Sequence, residues 1–362
     1  MHIYYDYQIF SLQNVGGISR YFVELADKLG RRHSDIATTV LAPLHINGYL
    51  ASSSVRRIGV KVPQFPGKRY LLTPLNRMIS KRCLYKEQPD VLHETYYCRC
   101  SLFDCKTRLL TVYDMIHERY PELFTGVDLD IPALKAAAVD RADHIITISE
   151  TTRRDLIEFL GVPSSKITVV PLASSFTAKD RVSGWVERPF LLYVGLRGGV
   201  KNFKTLLTAF ARSRLLRAEF DLVCVGGGYF SVNEEKTICD LGLAGQVKQV
   251  QASDSDLATL YADAALFVYP SLYEGFGLPL LEAMRCGCVI ACSNTSSMPE
   301  IAADAALYFD PLQEEEIRSV IEDGVSSTAT LNSLRLKGYE RQKQFSWRSC
   351  VDATAEVYRS VK

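Results

Sequence analysis

Long apolar runs and an excess of one charge are both missing from this sequence. No segment of the 362 residues approaches the roughly 20 uninterrupted apolar residues of a membrane-spanning helix. The 42 basic and 41 acidic residues leave a net charge of +1, which argues against a protein that binds mainly nucleic-acid phosphates. The run Met1 to Phe10 is strand-like, and it has neither the basic lead nor the cleavage site of a secretory signal. We therefore expect a cytoplasmic protein with no nucleic-acid partner.

Metal-binding patterns are also scarce. The ten cysteines are scattered, and their two closest groups contain no C-x-x-C pair. Those groups are Cys98, Cys100 and Cys105, and Cys286, Cys288 and Cys292. Of the two D-x-D strings, Asp128–Asp130 and Asp254–Asp256, the second is more simply a helix cap. We expect no metal site, and free cysteines in a reducing compartment.

Cofactor fingerprints are incomplete. The run Gly226–Gly228 follows an apolar strand, as a dinucleotide-binding loop would, but it lacks the third spaced glycine of G-x-G-x-x-G. No acidic residue follows at the expected distance, and no P-loop is present. The sequence therefore predicts no redox or other resident cofactor.

An alternation of short apolar strands and helices runs through the whole chain. The apolar runs show little polar alternation, which is typical of strands covered on both faces of a parallel sheet. The predicted strands are Leu109–Tyr113, Ile145–Ile148, Thr168–Val170, Phe190–Val194, Leu222–Val225, Leu266–Tyr269 and Val289–Ala291. The predicted helices are Ile18–Leu29, Thr152–Leu160, Phe203–Ser213, Leu257–Ala262 and Pro279–Arg285. The pattern indicates an α/β protein with doubly wound domains.

Two domains are expected from the length, at about 150 residues each. The polar, weakly patterned stretch Ser174–Pro189 is the predicted join, which gives an N-terminal domain at 1–175 and a C-terminal domain at 189–346. The last segment, 347–362, has helical spacing, and we expect it to pack back towards the N-terminal domain. Ligands of such domains bind beyond the carboxyl ends of the strands, so a cleft between the two domains is the expected site.

The most informative stretch is Tyr269–Gly287, YPSLYEGFGLPLLEAMRCG. Glu274 lies in a loop after a strand, and Glu282 lies on the helix that follows. Gly275 and Gly277 allow a ligand to approach the backbone closely, and the start of a helix favours an anion. Taken alone, the two glutamates favour a structural interpretation, in which one complements the helix dipole and the other is a solvated loop residue.

The string SLYEGFGLPLLEA resembles the E-x7-E signature of retaining, nucleotide-sugar-dependent glycosyltransferases with the GT-B fold, a group that includes bacterial mannosyltransferases. Asn14–Arg20 (NVGGISR) resembles the N-terminal glycine loop of that family, and Tyr193–Phe203 (YVGLRGGVKNF) resembles its donor-phosphate segment. Ile146–Glu150 and Pro299–Glu300 also resemble family strings, in the same order. The resemblance implies two Rossmann-like domains that face each other across a cleft, with the acceptor in the N-terminal domain, the donor in the C-terminal domain and no metal.

The resemblance also implies roles for individual residues. Arg197 and Lys201 would hold the donor diphosphate and stabilise the charge that develops on the leaving group. Glu274 would form hydrogen bonds with hydroxyls of the transferred sugar, and Glu282 with the ribose. The alternative for Arg197 and Lys201 is simple pairing with neighbouring acidic residues. The implied donor-binding residues are Gly16, Gly17, Arg197, Lys201, Glu274, Gly275, Phe276, Gly277, Leu278 and Glu282. The implied catalytic set is Glu274, Lys201, Arg197, Asp114 and His117.

The string YDMIHE departs from the family pattern. After the strand that LLTV (109–112) forms here, the family often has a His followed by Asp or Thr, and that His contributes to the active site. Tyr113 stands at its place here, so Asp114, His117 or neither takes over the role. His93, expected in a loop after VLH, is a candidate acceptor contact, with an ordinary hydrogen-bonded histidine as the alternative. Arg20 matches the family loop, or is a surface residue of the first helical turn.

A basic stretch in the first half suggests contact with lipid. Residues 68–86 hold six basic side chains and no acidic one: Lys68, Arg69, Arg77, Lys81, Arg82 and Lys86. Leucine, isoleucine and methionine residues lie between them, so the segment could rest on an anionic membrane. A solvated basic helix is the alternative interpretation. We expect a cytoplasmic protein that can lie at the inner face of the cell membrane.

These patterns together predict a retaining hexosyltransferase of surface-polysaccharide or lipopolysaccharide biosynthesis. The expected donor is GDP-mannose, because RGGVKNF resembles the same segment of bacterial mannosyltransferases. UDP-N-acetylglucosamine, UDP-glucose and a GDP- or dTDP-deoxysugar are the alternatives, and the expected acceptor is a glycan or a lipid-linked molecule. An epimerase or a phosphorylase is possible on the same fold. A non-catalytic sugar-nucleotide-binding protein is the alternative of another class. The presence of Glu274, Glu282, Arg197 and Lys201 argues against it.

Overall fold

The computed structural model describes residues 1–65, 67–84, 88–100, 105–176 and 188–361, without the side chains of residues 68–70 and 127. Two compact units are formed. The first comprises Met1–Pro121, Thr125–Pro171 and Trp347–Lys362, and the second comprises Glu122–Phe124 and Leu172–Ser346. Most of the predicted join at 174–189 lies outside the described residues, so its position stays a prediction.

The first unit is built on a parallel sheet of seven strands in the order β3-β2-β1-β4-β5-β6-β7. The strands are β1 (His2–Tyr5), β2 (Ala37–His45), β3 (Arg57–Lys61), β4 (Val91–Glu94), β5 (Arg108–Val112), β6 (His144–Thr147) and β7 (Ile167–Val169). The central strands are buried almost without interruption, as expected of parallel strands with helices on both faces. His93 pairs with Tyr5 on one side and Leu109 on the other, so the carboxyl ends of these strands meet at one edge of the sheet.

Seven helices of the first unit connect these strands within the described ranges before residue 172. They are α1 (Gln8–Leu12), α2 (Gly17–Arg32), α3 (Gly48–Ser52), α4 (Lys68–Leu84), α5 (Ile116–Arg119), α6 (Ile131–Arg141) and α7 (Glu150–Leu160). Helix α2 forms because apolar residues recur on one face, and Phe22, Leu25 and Leu29 are fully buried. Helix α7 begins where the Ser149 hydroxyl accepts a hydrogen bond from a backbone amide, and it ends at Gly161 in the left-handed conformation.

The second unit contains a parallel sheet of six strands in the order β10-β9-β8-β11-β12-β13. The strands are β8 (Phe190–Val194), β9 (Asp221–Val225), β10 (Val247–Val250), β11 (Leu266–Tyr269), β12 (Ile290–Ser293) and β13 (Ala306–Phe309). Their helices are α8 (Phe203–Arg212), α9 (Arg214–Glu219), α10 (Val232–Asp240), α11 (Asp254–Asp263), α12 (Leu278–Arg285), α13 (Met298–Ala302), α14 (Glu314–Ser326) and α15 (Thr328–Gln342). Leu191 of β8, Phe210 of α8 and Ile317 of α14 belong to one buried apolar cluster, which places a core on the α8 and α14 face of the sheet.

The last helix, α16 (Trp347–Ser360), belongs to the first unit. It packs on α2, where the Trp347 ring stacks on Tyr21 with centroids 6.1 Å apart. Arg32 donates two hydrogen bonds to the Asp352 carboxylate, at 2.5 and 2.7 Å. Aromatic packing and a bidentate ion pair therefore attach the C-terminal helix to the N-terminal sheet unit.

The parallel α/β class predicted from the sequence is confirmed, and so are the bounds of β8 and β11. The local prediction for the first ten residues is wrong. The strand-like run expected to Phe10 ends at Tyr5, and Phe10 lies in α1. There the Asp6 carboxylate accepts a hydrogen bond from the backbone amide of Gln8, which turns the chain out of the strand. The strand expected at Val289–Ala291 is β12, shifted by one residue at its start and two at its end.

Candidate active site

The loop between β11 and α12 carries Glu274 at the carboxyl edge of the second sheet, the edge where the carboxyl ends of its strands meet. Gly277 precedes α12 with a φ of 100°, a conformation that L side chains rarely adopt. Pro279 lies in the first turn of the helix, where a missing amide proton costs nothing. The sequence-based placement of the loop and of the helix start is therefore confirmed.

Two serines that follow the neighbouring strand, β12, fix the backbone of this loop. Ser296 donates to the Glu274 carbonyl oxygen at 2.6 Å and accepts from the Glu274 amide at 3.1 Å. Ser297, fully buried, donates to the carbonyl oxygens of Glu274 and Phe276, both at 2.9 Å. Sequence reasoning missed both serines. The available signal was their position just after β12, because the carboxyl ends of neighbouring parallel strands share one edge.

Lys201 reaches Glu274 directly. It lies at the end of the loop after β8, and its Nζ is 2.5 Å from Glu274 Oε1. The two side chains are 25% and 14% exposed, so the pair is only partly shielded from water. The Leu272 amide donates to the Val200 carbonyl oxygen at 2.7 Å, which ties the two loops together. The structure thus joins two predicted site residues that are 73 positions apart in the chain.

Two buried tyrosines lie beside the predicted glutamates. The ring of Tyr269 lies 5.6 Å from Lys201 Nζ, and burial together with the Glu274 charge raises its pKa well above the usual value. Tyr261 donates to Glu282 Oε2 at 3.4 Å, and burial and the Glu282 charge raise its pKa in the same way. Both phenols therefore remain neutral hydrogen-bonding groups at ordinary pH.

Arg197 is engaged with protein groups rather than with Glu274. Its Nε donates to Glu234 at 2.7 Å, and its two Nη atoms donate to the carbonyl oxygens of residues 226–229. The side chain is 3% exposed. Burial raises the pKa of Glu234, but hydrogen bonds from Ser231 and Arg197 outweigh it and lower the pKa. The diphosphate contact implied for Arg197 stays a prediction, and the alternative of pairing with a nearby acid is what the structure contains.

The glycine loop of the first unit lies at the start of α2. A Cβ added at Gly16 would lie 2.4 Å from Gln13 Oε1, an atom that accepts a hydrogen bond from the Ser19 amide. At Gly17 an added Cβ would meet no atom within 4 Å, so that position is open. Asn47, which the sequence did not single out, donates to the carbonyl oxygen of Gln13 at 2.8 Å.

The turn after β5 contains the two candidates for the missing family histidine. Asp114 is 34% exposed, and its Oδ1 accepts from the Ile116 amide. Burial lowers the pKa of His117, and nearby Asp114 partly offsets the effect. Lys135, fully buried on α6, donates to the Asp114 carbonyl oxygen and to Glu118 Oε2, both at 2.8 Å. Lys135 organises this turn, and no local sequence pattern marked it.

Tyr113 and His93 are both core residues. Tyr113 is 6% exposed and lies edge-on to Phe22, with centroids 6.5 Å apart. His93 was expected in a loop, but it lies within β4 and is fully buried. Its ring nitrogens are hydrogen-bonded to Tyr358 Oη at 2.7 Å and to Thr111 Oγ1 at 2.8 Å. The loop placement is therefore wrong, and the contacts agree with the alternative of a satisfied histidine.

Among the described residues, no group of three or more His, Cys, Asp or Glu side chains is arranged to hold a metal ion. The D-x-D string at 254–256 starts α11, and its cap is Ser253, which forms a reciprocal capping box with Asp256. The absence of a metal requirement stays a prediction.

Family models match nearly the whole chain. Residues 15–173 match the model "Glycosyltransferase Family 4", and residues 175–341 match "Glycosyl transferases group 1". The second match contains Arg197, Lys201, Glu274 and Glu282.

Curated relatives align with part of the chain. O-antigen chain mannosyltransferase B of Escherichia coli is 31% identical over 237 residues, which are 61% of this chain and 62% of that protein. The MMP alpha-(1->4)-mannosyltransferase of Mycolicibacterium hassiacum is 30% identical over 220 residues, which are 59% of this chain and 53% of that protein. The chain thus spans less than two thirds of the length of these relatives.

Solved structures share the fold along the full length. A sucrose-phosphate synthase from Thermosynechococcus elongatus has a TM-score of 0.78 at 18% identity, covering 99% of this chain and 98% of that one. Anabaena HepE in complex with UDP-glucose has a TM-score of 0.74 at 15% identity, covering 99% and 100%. At such identities the similarity establishes the fold alone, which is GT-B with two Rossmann-like domains.

Proposed function

We propose that this chain, which belongs to the group 1 glycosyltransferases with a family 4 N-terminal region, transfers a hexose from a nucleotide diphosphate sugar to a glycan or lipid-linked acceptor. GDP-mannose is the proposed donor, and two relatives at about 30% identity that are named mannosyltransferases support that choice. The name of one of them supports O-antigen assembly as the setting. The observation that carries the proposal is the contact between Lys201 and Glu274 inside the group 1 region.

The ion pair explains how donor binding prepares the site. Lys201 and Glu274 satisfy each other in the partly exposed site. A diphosphate is a stronger partner for the ammonium group than one carboxylate, because it carries more charge and more acceptor oxygens. When the diphosphate replaces Glu274 as the partner of Lys201, the Glu274 carboxylate becomes available to accept hydrogen bonds from hydroxyls of the sugar. The serine contacts keep the loop in place while the partners exchange.

The proposed reaction is a substitution at the anomeric carbon with retention. The bond from this carbon to the β-phosphate oxygen breaks, and its electron pair goes to the nucleoside diphosphate. A bond forms from the carbon to the acceptor hydroxyl oxygen on the same face of the sugar, and the hydroxyl proton passes to the leaving phosphate. Lys201 stabilises the charge that grows on that phosphate, which is the largest electrostatic change in the step. Glu274 orients the sugar and forms no covalent bond with it.

The remaining site residues have supporting roles in this proposal. Glu282 binds the ribose, and residues 275–278 form the loop wall next to the donor. The open position at Gly17 lets an anionic part of the substrates approach the start of α2. Asp114 and His117 contact the acceptor from the turn that Lys135 holds.

Helix α4 supports a further part of the proposal, peripheral contact with anionic membrane. None of the helices in the described part of the chain is long and apolar enough to cross a membrane. The exposed residues of α4 include Arg77, Lys81 and Arg82, together with Met78, which is 64% exposed. Lys86 lies outside the described residues, as do the side chains of Lys68 and Arg69. Flotation with anionic vesicles should be lost in a triple Arg77→Glu, Lys81→Glu, Arg82→Glu variant, and equal flotation with neutral vesicles would contradict this contact.

A binding screen followed by a transfer assay tests the function. GDP-mannose, UDP-glucose, UDP-N-acetylglucosamine and dTDP-sugars are added to the full chain, and the melting temperature is recorded. A ligand at 100 times its Kd stabilises the protein by about 2.7 kcal/mol. Stabilisation by GDP-mannose and mannose transfer to a glycan are the expected results. Binding without transfer to any glycan or lipid-linked acceptor would favour the non-catalytic alternative, and no binding of any of these donors would refute the proposal.

A further inference from the structure

The glycine run 226–228 and Arg197 form one structural element. All three glycines have positive φ, at 93°, 70° and 71°, so the run is a left-handed turn that other residues rarely form. The carbonyl oxygens of Gly226 and Gly227 accept from Arg197 at 2.5 and 3.2 Å. Those of Gly228 and Tyr229 accept from the same guanidinium group at 3.0 and 2.9 Å. One side chain therefore gathers four consecutive carbonyl groups.

The surrounding atoms leave Arg197 little freedom to do anything else. Glu234 accepts from its Nε at 2.7 Å, and the Phe230 ring lies 4.8 Å from its Cζ. All three guanidinium nitrogens are thus used by protein groups. A Cβ added at Gly227 would lie 2.9 Å from Arg197 Nη1, so the turn and the arginine are packed as complementary surfaces.

The strand order places this turn beside the proposed donor site. The loops after β9, β8 and β11 are neighbours in that order at the carboxyl edge, about 4.8 Å apart per strand. Glu274 follows β11, Lys201 follows β8, and the glycine turn follows β9. The turn therefore lies beyond Lys201 from Glu274 along this edge, where the base of a donor can be received when its sugar lies at Glu274, its diphosphate at Lys201 and its ribose at Glu282. Tyr229, at the end of the turn, is 82% exposed and offers an aromatic face there.

We propose that Arg197 is a positioning residue, which holds the turn 226–229 in place to receive the base of the donor and does not itself contact the diphosphate. The inference rests on the proposed function, since it takes the places of sugar and diphosphate from it. Binding sites gain affinity when the groups that touch the ligand are held by other side chains. Lys201 then acts as the phosphate-contacting cation of this segment.

Calorimetric titration of the full chain with GDP and with GMP tests the assignment. Arg197→Ala weakens binding of both nucleotides by about tenfold, the size of one lost hydrogen-bond interaction, and leaves the ratio of the two Kd values within about twofold of wild type. Lys201→Ala weakens GDP much more than GMP. Arg197→Lys behaves like Arg197→Ala, because a single ammonium group does not span four carbonyl oxygens. The matched control is Arg217→Ala, which removes an arginine contact to Gly242 before β10, at the amino edge of the sheet, and leaves both affinities unchanged.

The outcomes separate this inference from the proposed function. A selective loss of GDP affinity in Arg197→Ala, retained GDP affinity in Arg197→Lys, or unchanged binding in both would overturn the positioning role alone. If wild type binds uridine nucleotides instead, the same ratio is measured with UDP and UMP. Wild-type protein that binds no nucleoside diphosphate overturns both proposals. If circular dichroism shows Arg197→Ala to be unfolded, the ratio is measured on Arg197→Lys and on Gly227→Ala, whose added Cβ displaces the guanidinium group.

Discussion

Removal of the Lys201 side chain should lower the activity of this protein much more than its stability. The variant Lys201→Ala deletes one partner of the 2.5 Å ion pair and leaves the Glu274 carboxylate without its cation. Water can take the place of the ammonium group, because the two side chains are 25% and 14% exposed. The variant therefore tests whether the ion pair mainly stabilises the fold or whether Lys201 mainly serves the donor.

The expected cost in stability lies between two limits. Truncating one partner of a fully buried ion pair costs about 3–5 kcal/mol, whereas exposed pairs contribute about 0–1 kcal/mol. With the partial exposure of this pair, we expect a loss of about 1–2 kcal/mol in the free energy of unfolding. For units of this size that loss lowers Tm by about 2–8 °C, at about 2–4 °C per kcal/mol. The protein remains folded at 25 °C.

The expected cost in activity is larger. Loss of one preorganised group that stabilises transition-state charge lowers turnover about a hundredfold or more, which is about 2.7 kcal/mol of activation free energy. Release of nucleoside diphosphate from the donor, measured at 25 °C with the folded fraction checked by circular dichroism, gives the comparison. Lys204→Ala, on the exposed side of the next turn, is the matched control and should retain wild-type turnover. Turnover in Lys201→Ala that falls only as far as the folded fraction falls would refute the catalytic role.

Three further predictions test other parts of the structure. Ser297→Ala removes two hydrogen bonds to the carbonyl oxygens of Glu274 and Phe276. The free energy of unfolding in urea should fall by about 1–3 kcal/mol, and turnover should be slower. An unchanged free energy of unfolding would contradict the role of the serine. Gly17→Ala should raise the free energy of unfolding by about 0.5–1 kcal/mol, because Ala is a better helix former and its Cβ meets no atom. Turnover should fall, because the Cβ hinders the approach of the substrate to the start of α2. Turnover equal to that of wild type would contradict this approach. Burial lowers the pKa of His93 to about 3, so its contribution to stability is full above pH 6.5 and is lost as pH falls towards 3. In His93→Gln, the free energy of unfolding from urea melts should therefore depend less steeply on pH between pH 4 and 7. An unchanged pH dependence would contradict the assignment.

Strands buried on both faces were the most predictable elements of the fold. FLLYV and LFVY are continuous apolar runs, and β8 and β11 occupy them from end to end. The run from Met1 to Phe10 is also strand-like, yet it divides into a strand and a helix, because Asp6 turns the chain between them. A short apolar run fits a strand or a buried helix equally well, and only the side-chain contacts of the fold decide between them.

The candidate site was predictable only in part. Glu274 and Lys201 were identified through family resemblance, and their contact depends on β8 and β11 being neighbours in the sheet. Ser296, Ser297 and Lys135 carry no local pattern, since their importance comes from which loops they meet. The contacts of Arg197 likewise follow from the three-dimensional position of the turn after β9.

A crystal structure of the full chain with an intact nucleotide sugar tests the central proposal most directly. We expect a β-phosphate oxygen within about 3 Å of Lys201 Nζ and a sugar hydroxyl within the same distance of a Glu274 carboxylate oxygen, with their mutual ion pair exchanged for these contacts. A donor bound elsewhere, with the 2.5 Å contact between the two side chains intact, would contradict it.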